Sequence, residues 1–231
     1  MSMQAARIDP SWIDDRRPNV FVMNPEAVIL VHGLWMRGFT LTMLRHRLEA
    51  AGYSVESFDY ASVFGVADIG VERLLQRAQV LKNTKIHFVG HSLGGLIALQ
   101  ALQRAPELTR GHVVCLGSPL RGSAVARGVA RLPGGSFVIG KSLDVLRRGI
   151  ERWDGAQPVG AIAGRLPVGL GFAVGSLTSP HDGTVSVAET ELPGLTDHCV
   201  VPATHTGLLF SEQAAAQAIS FLRGARFART V

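Results

Sequence analysis

The sequence has few lysines, only two cysteines and no apolar run long enough to cross a membrane. Only three of its 23 basic residues are lysine, and the arginines are scattered apart from a small cluster near the C-terminus. A nucleic-acid surface needs basic residues concentrated on one face, so this pattern does not indicate one. The net charge of +5 is compatible with transient contact with a lipid surface, although no basic amphipathic stripe indicates such contact.

The two cysteines, Cys115 and Cys199, match no metal-ligand spacing. Cys115 lies in an apolar run and is predicted to be buried, while a disulfide between the two stays open at this point. The N-terminus, MSMQAARIDPSW, lacks the apolar stretch and cleavage pattern of a signal peptide, and no segment has the roughly 18 apolar residues of a spanning helix. These absences favour a cytoplasmic protein, although a secreted protein expressed without its signal has the same features.

Apolar runs and helical patterns alternate along the first half of the chain. A length of 231 residues, 47% of them apolar and 18% charged, suits one α/β domain with a sizeable core. Apolar runs ended by glycine predict strands, and leucines at helical spacing predict helices. The predicted strands are 27–33, 53–60, 85–90 and 111–119, and the predicted helices are 40–52, 66–81 and 92–105. This order predicts a mostly parallel sheet with helices on both faces and with its chemistry at the carboxyl ends of the strands.

The regular alternation breaks at residues 121–168. Glycine and proline pairs there surround one helical patch at 142–153, and we interpret the whole stretch as an insertion in a single domain, 1–231. Two further strands are predicted at 170–176 and 197–202. A last helix follows over 211–222, with Ser211 as its N-cap.

Ser92 stands in the stretch VGHSLGG, between an apolar run and a helical pattern. This is the G-x-S-x-G spacing of a nucleophile elbow, in which a sharp strand-to-helix turn exposes the serine oxygen. The spacing alone is weak evidence in a chain with 26 glycines, and a glycine turn with a capping serine is the alternative. Because a serine hydroxyl is a poor nucleophile near neutral pH, the hypothesis requires a base elsewhere in the chain.

His205, in VPATHTGLLF, is the candidate base because it follows the last predicted strand and histidine titrates near working pH. His181 and His198 are the alternatives. The other histidines are interpreted as structural, as exposed, or as the variable position of the elbow in the case of His91.

Asp182, in SPHDGTVSV, is the candidate acid. A carboxylate there can accept the imidazole Nδ1–H, fix the tautomer and stabilise the imidazolium. The Asp-Gly pair also fits a simple turn, and Asp144 and Asp154 are weaker alternatives within the insertion. The chain order Ser, Asp, His is typical of the α/β-hydrolase arrangement.

The stretch VHGLW supplies the fourth part of the candidate site. The backbone N–H groups of Leu34 and of Leu93, the residue after the serine, are expected to converge on an oxyanion. The ring of His32 is interpreted as a structural hydrogen-bonding group. Trp35 either lines the substrate pocket or simply packs.

The chain resembles bacterial lipases and esterases of the α/β-hydrolase superfamily, close to the branch that includes inositol-deacylase-like hydrolases. Five segments carry the resemblance: VHGLW, HFVGHSLGGLIALQAL, LGSPLRGSAVA, HDGTVSVAETELPG and THTGLLFS. The resemblance implies an α/β-hydrolase fold with Ser92, Asp182 and His205 as the triad and Leu34 and Leu93 as the oxyanion hole. It also implies that the insertion is a cap, or lid, over the acyl site. The early position of the first strand implies a compact sheet of about six strands, with a seventh at 19–23 as the alternative.

The resulting prediction is a serine hydrolase that cleaves carboxylic esters through an acyl-enzyme, with no cofactor and no metal. Its substrate is expected to be a small-molecule ester or a lipid, because the insertion is rich in apolar residues. Trp35, Leu120 and Leu208 are the pocket candidates. A thioesterase or acyltransferase using the same triad is the first alternative, and a catalytically inactive binding protein is the second.

Overall fold

Six parallel strands form the central sheet of the computed structural model, which describes residues 26–63, 67–81, 84–169 and 177–229. The strands are β1 (Ala27–Val31), β2 (Ser54–Phe58), β3 (Ile86–His91), β4 (Val113–Leu116), β5 (Val159–Gly164) and β6 (Asp197–Val201). Their spatial order is β2-β1-β3-β4-β5-β6, and every neighbouring pair is parallel. The carboxyl ends of all six strands therefore lie along one edge of the sheet, which confirms the predicted fold class.

Helices cover both faces of the sheet. They are α1 (Thr42–Ala50), α2 (Ala67–Val80), α3 (Leu93–Arg104), α4 (Ala124–Val129), α5 (Gly135–Ile139), α6 (Leu143–Arg148), α7 (Val187–Thr190) and α8 (Glu212–Gly224). One core packs α2 and α3 against the sheet, and the other core packs α1 and α8 against the opposite face. Alternate residues of β1 enter the two cores in turn, which explains why this strand is a continuous apolar run in the sequence.

The crossover from β4 to β5 contains the short helices α4, α5 and α6. We call residues 121–150 the connecting segment. Its chain is tied to the rest of the fold by hydrogen bonds at its middle, where the Lys141 N–H donates to the Val63 carbonyl at 3.1 Å and the Ser142 hydroxyl donates to the Ser62 carbonyl at 2.5 Å.

The insertion predicted at 121–168 is too long, because Val159–Gly164 is the fifth strand of the sheet. Its sequence, VGAIAG, consists mostly of small residues, which the pattern of a strand does not predict. The small residues have a packing reason: a Cβ at Gly160 would lie 2.6 Å from the Phe221 ring, which α8 presses onto this strand. The strand predicted at 170–176 and the alternative seventh strand at 19–23 lie outside the described residues.

The two cysteines lie on opposite faces of the sheet and are not paired. Cys115 on β4 is buried in the core that contains α3, while Cys199 on β6 packs against the core that contains α8. No described helix is long and apolar enough to cross a bilayer.

Candidate active site

Ser92 lies at the sharp turn between β3 and α3. Its backbone has φ 54° and ψ −120°, a conformation that residues with a side chain rarely adopt. The turn is packed so closely that a Cβ on Gly94 would collide with the carbonyl oxygen of Val31 in the neighbouring strand. The Ser92 N–H donates to the Leu116 carbonyl of β4 at 2.9 Å, which fixes the turn to the sheet. A strained turn between a strand and a helix is the geometry that a nucleophile elbow requires.

Asp182 and His205 are brought together at the carboxyl edge of the sheet. The His205 Nδ1 lies 2.8 Å from the Asp182 Oδ2, and the His205 backbone N–H donates to the Asp182 carbonyl at 2.9 Å. Asp182 is 1% exposed and His205 is 13% exposed. Because a carboxylate only accepts, the hydrogen bond places the proton of a neutral His205 ring on Nδ1 and leaves Nε2 free to act as a base.

The second oxygen of Asp182 is held by the backbone of its own loop. Oδ1 accepts the N–H groups of Thr184 at 2.9 Å and of Val185 at 2.7 Å. Both carboxylate oxygens therefore have donors, which compensates for the burial of a charged group. The Asp-Gly pair does form a turn, as the alternative interpretation expects, and the same turn orients the carboxylate toward His205.

His91, the last residue of β3, contacts His205 directly. Its Nε2 lies 3.1 Å from the His205 carbonyl oxygen, and the centroids of the two rings are 4.7 Å apart. Burial lowers the pKa of His91 to about 3, with a further contribution from the neighbouring His205, so the ring stays neutral at ordinary pH. Its Nδ1 has no hydrogen-bond partner among the described residues.

The loop after β1 brings the Leu34 N–H to the region of Ser92. The Leu34 N–H donates no backbone hydrogen bond to another described residue, and the Leu93 N–H belongs to the first turn of α3, where intrahelical acceptors are absent. His32 supports this loop from behind: its ring stacks on Tyr60 with centroids 4.5 Å apart, and the Tyr60 hydroxyl donates to the His32 carbonyl at 2.9 Å. This arrangement agrees with the structural role expected for His32.

A cavity of about 380 Å³ is lined by Ser92, His91, His205 and Leu34, among other residues. Among the described residues the Ser92 hydroxyl makes no hydrogen bond to His205, a contact that often tightens only when substrate binds. The connecting segment supplies much of the apolar wall, through Val125, Ala126, Val129, Ile139 and Leu146.

Of the three pocket candidates, Trp35 lines this cavity and the other two do not. Trp35 is 52% exposed, and its Nε1–H donates to the Val138 carbonyl of the connecting segment at 3.0 Å. Leu120 and Leu208 are fully buried, each in one of the two cores. The sequence pattern does not show into which core the side chain of each leucine packs.

The alternative base and acid candidates lie elsewhere. His198 contacts the Thr190 hydroxyl at 2.8 Å, and the His181 Nδ1 accepts the Gly183 N–H at 3.1 Å within its own turn. Asp154 is exposed and pairs with Arg152.

The contact that His91 makes with His205 is not predicted by the sequence analysis. The feature of the sequence that could indicate it is a histidine at the end of a wholly buried strand. No group of three or more described His, Cys, Asp or Glu side chains is arranged to hold a metal ion.

Comparison with known proteins matches most of the chain to one protein family. The model of the alpha/beta hydrolase family matches residues 28–227, which includes every residue of the candidate site. A lipid droplet-associated hydrolase of Rattus norvegicus is 34% identical over 80 residues, a match that spans 34% of this chain and 25% of that protein.

Solved structures with the same fold include several lipases and esterases. A lipase of Bacillus licheniformis superposes with a TM-score of 0.68 at 18% identity, covering 88% of this chain and 93% of that one. A metagenomic carboxyl esterase superposes with a TM-score of 0.63 at 21% identity, and the match covers 78% of this chain and 64% of that one. A monoacylglycerol lipase of Paleococcus ferrophilus superposes with a TM-score of 0.60 at 16% identity, and the match covers 87% of this chain and 96% of that one. At these identities the likeness shows the fold.

Proposed function

The chain belongs to the alpha/beta hydrolase family, and from this premise we propose that it hydrolyses carboxylic esters with Ser92 as nucleophile. One observation carries the proposal. Ser92, in a strained backbone turn, and His205 line the same cavity, and the His205 Nδ1 is hydrogen-bonded to the buried carboxylate of Asp182. That set contains a nucleophile, a base and a group that orients the base, which acyl transfer requires together.

The proposed reaction has two matched halves. The Ser92 oxygen attacks the acyl carbonyl carbon while His205 Nε2 takes the hydroxyl proton, and the Leu34 and Leu93 N–H groups donate to the oxyanion of the tetrahedral intermediate. The intermediate collapses as the carbon–alkoxy bond breaks, and His205 returns the proton to the departing alcohol. Water then attacks the acyl-enzyme by the same route, which releases the acid and restores Ser92. Asp182 accepts the Nδ1–H of His205 throughout and stabilises the transient imidazolium.

The substrate is proposed to be a neutral ester with an aliphatic or aryl acyl group, including a lipid ester. The cavity wall supplied by the connecting segment is apolar, so a charged acyl group would lose its hydration without gaining a partner there. In this role the connecting segment is the cap over the acyl group. The names of the neighbours, lipase, carboxyl esterase and monoacylglycerol lipase, fit this substrate class.

Hydrolysis of a p-nitrophenyl ester series by the wild-type protein tests this substrate class. We expect turnover of neutral acyl groups, with an optimum chain length set by the cavity. A neutral acyl chain is expected to exceed a carboxylate-terminated chain of matched length in kcat/KM by at least about tenfold, because burying an unpaired charge is costly. Faster turnover of the charged ester would contradict the apolar acyl site.

Two alternatives are separated by further measurements on the same samples. Thioester hydrolysis and acyl transfer use the same triad, so competing thiol esters and added alcohols distinguish them by product analysis. An inactive binding protein would cleave none of these esters and would not react with a fluorophosphonate.

A further inference from the structure

The connecting segment carries a large net positive charge. Residues 121–150 contain six basic residues and one acidic residue, Asp144, while the rest of the chain contains 17 of each. The formal charge of +5 therefore equals the charge of this segment alone. None of its six basic side chains forms an ion pair with another described residue, so its charge is not compensated within the described part of the chain.

The same segment exposes large apolar side chains. Phe137 is 80% exposed, Leu132 is 55% exposed and Val138 is 46% exposed. Trp35 joins this group, because its ring is half exposed and is hydrogen-bonded to the Val138 carbonyl while it also lines the cavity. Exposed aromatic and aliphatic side chains close together in the chain, and linked to the cavity by Trp35, indicate a surface that meets a partner.

We propose that this surface binds the face of an anionic lipid bilayer. We define it as Trp35, Leu132, Phe137 and Val138 together with the exposed Arg131 and Lys141, which flank the three apolar residues in sequence. Apolar side chains that enter the acyl boundary and basic side chains that meet anionic headgroups are the two parts of interfacial binding. A second copy of this chain would account for the apolar side chains, but it would bring the same uncompensated positive charge to the contact.

Docking in this orientation places the cavity opening beside Trp35 against the bilayer. A lipid ester can then enter the cavity without passing through bulk water. The entry of a lipid ester from the bilayer rests on the proposed ester hydrolase function. Binding to the bilayer does not, so bilayer binding and ester hydrolysis are measured separately.

Co-sedimentation with vesicles tests the surface. We expect the wild-type protein to bind vesicles of phosphatidylcholine with 30 mol% phosphatidylglycerol at least about tenfold more tightly than vesicles of phosphatidylcholine alone, with the preference lost at high salt. Phe137→Ser, and separately the Arg131→Gln/Lys141→Gln pair, are each expected to weaken binding to the anionic vesicles by about tenfold.

Matched controls lie away from this surface. Val80 is 71% exposed at the C-terminal end of α2, the opposite end of the sheet from the cavity, and Arg110 is exposed before β4. Val80→Ser and Arg110→Gln are expected to bind vesicles as the wild type does. Equal binding to both vesicle types, no binding to either, or equal losses in the control variants would overturn the proposal. A dimer that Phe137→Ser dissociates would then assign the surface to a second copy of this chain. Hydrolysis of a water-soluble short-chain ester by all variants reports separately on the catalytic proposal.

His91 carries a second inference, on a different observation. A backbone carbonyl only accepts, so the 3.1 Å contact requires a proton on His91 Nε2 that is donated to the His205 carbonyl. His205 is then held at three points: its ring by the Asp182 carboxylate, its N–H by the Asp182 carbonyl and its carbonyl by His91. We infer that His91 is a positioning residue that fixes the backbone and ring of His205 beside Ser92. This inference rests on the proposed role of His205.

Replacing His91 by two side chains of similar size distinguishes a role in positioning His205 from a role in filling the core. His91→Gln keeps an N–H donor near the His205 carbonyl, while His91→Met fills the space without one. We expect kcat for a neutral ester to fall about tenfold in His91→Met with KM nearly unchanged, and to recover to within about threefold in His91→Gln. The downfield proton resonance of the His205 Nδ1–H bonded to Asp182 is expected to broaden in the Met variant only.

A merely structural His91 gives a different pattern. In that case both variants lose thermal stability alike while the folded fraction, titrated with a fluorophosphonate, retains wild-type kcat and the same downfield resonance. That pattern would overturn the positioning role. Should neither variant fold, the smaller His91→Ala, which leaves room for water to meet the carbonyl, is subjected to the same two readouts. Absence of fluorophosphonate labelling in the wild type would instead count against the catalytic proposal itself.

Discussion

Replacing Ser92 by alanine is expected to lower kcat for a neutral ester by about 10⁴- to 10⁶-fold. Alanine has the same Cβ, so the strained turn and the N–H of Leu93 that is assigned to the oxyanion hole are retained. The hydroxyl makes no hydrogen bond to another described side chain, so its removal is expected to leave the free energy of unfolding within about 1 kcal/mol of the wild type. Steady-state turnover and urea denaturation of the same preparation measure the two quantities.

Ser123→Ala is the matched control for this substitution. Ser123 also lines the cavity, but its hydroxyl oxygen accepts the Ala126 N–H at 3.0 Å as the N-cap of α4. Loss of this cap is expected to cost about 1 kcal/mol of stability while turnover changes by less than about threefold. A Ser92→Ala protein that retains a substantial part of wild-type turnover would remove Ser92 from the mechanism.

Replacing Asp182 by asparagine is expected to lower kcat by about 10⁴-fold with little change in fold. The Oδ1 position of residue 182 faces two backbone N–H donors, those of Thr184 and Val185, so the amide oxygen of asparagine occupies that side. The amide nitrogen then faces His205 Nδ1 and donates to it, which forces the ring proton onto Nε2. A protonated Nε2 cannot accept the Ser92 proton, so the base is lost although every atom stays close to its place.

The pH dependence and a second aspartate check this explanation. Asp154→Asn removes an exposed carboxylate paired with Arg152 and is expected to leave kcat unchanged. Because the Asp182→Asn defect lies in the tautomer of the base, hydroxide partly replaces that base, and the variant is expected to recover activity as pH rises. Equal activity of Asp182→Asn and the wild type would assign the orienting role to another group.

The sequence predicts the fold well where hydrophobic pattern and architecture coincide. The strand β1 is buried on both faces and is a short continuous apolar run, β3 is equally buried and mostly apolar, and α3 follows β3 at the glycine-rich turn. The strand β5 is not predicted by the sequence pattern, since it is rich in glycine and alanine, and Gly160 is required by the Phe221 ring that packs on it and not by strand propensity. A contact made by a helix sixty residues later in the chain is not visible in a local pattern.

The candidate site was predictable as a set of residues but not as a geometry. Chain order and position after strands pointed to Ser92, Asp182 and His205, because the edge of a parallel sheet gathers the loops that follow its strands. The contact between His91 and His205 depends on how the end of β3 meets the loop that follows β6, and the side-chain directions of Leu120 and Leu208 depend on which core each enters. Neither is encoded in spacing along the chain.

Covalent labelling with a fluorophosphonate tests the assignment of Ser92 as the nucleophile most directly. The wild-type protein is incubated with the reagent, and the adduct is counted by intact mass and located by peptide mapping. We predict one phosphonyl group per chain, attached to Ser92, with labelling slowed by at least about 10³-fold in His205→Ala because the base is absent. No adduct on the folded protein, or an adduct on another residue, would contradict the assignment.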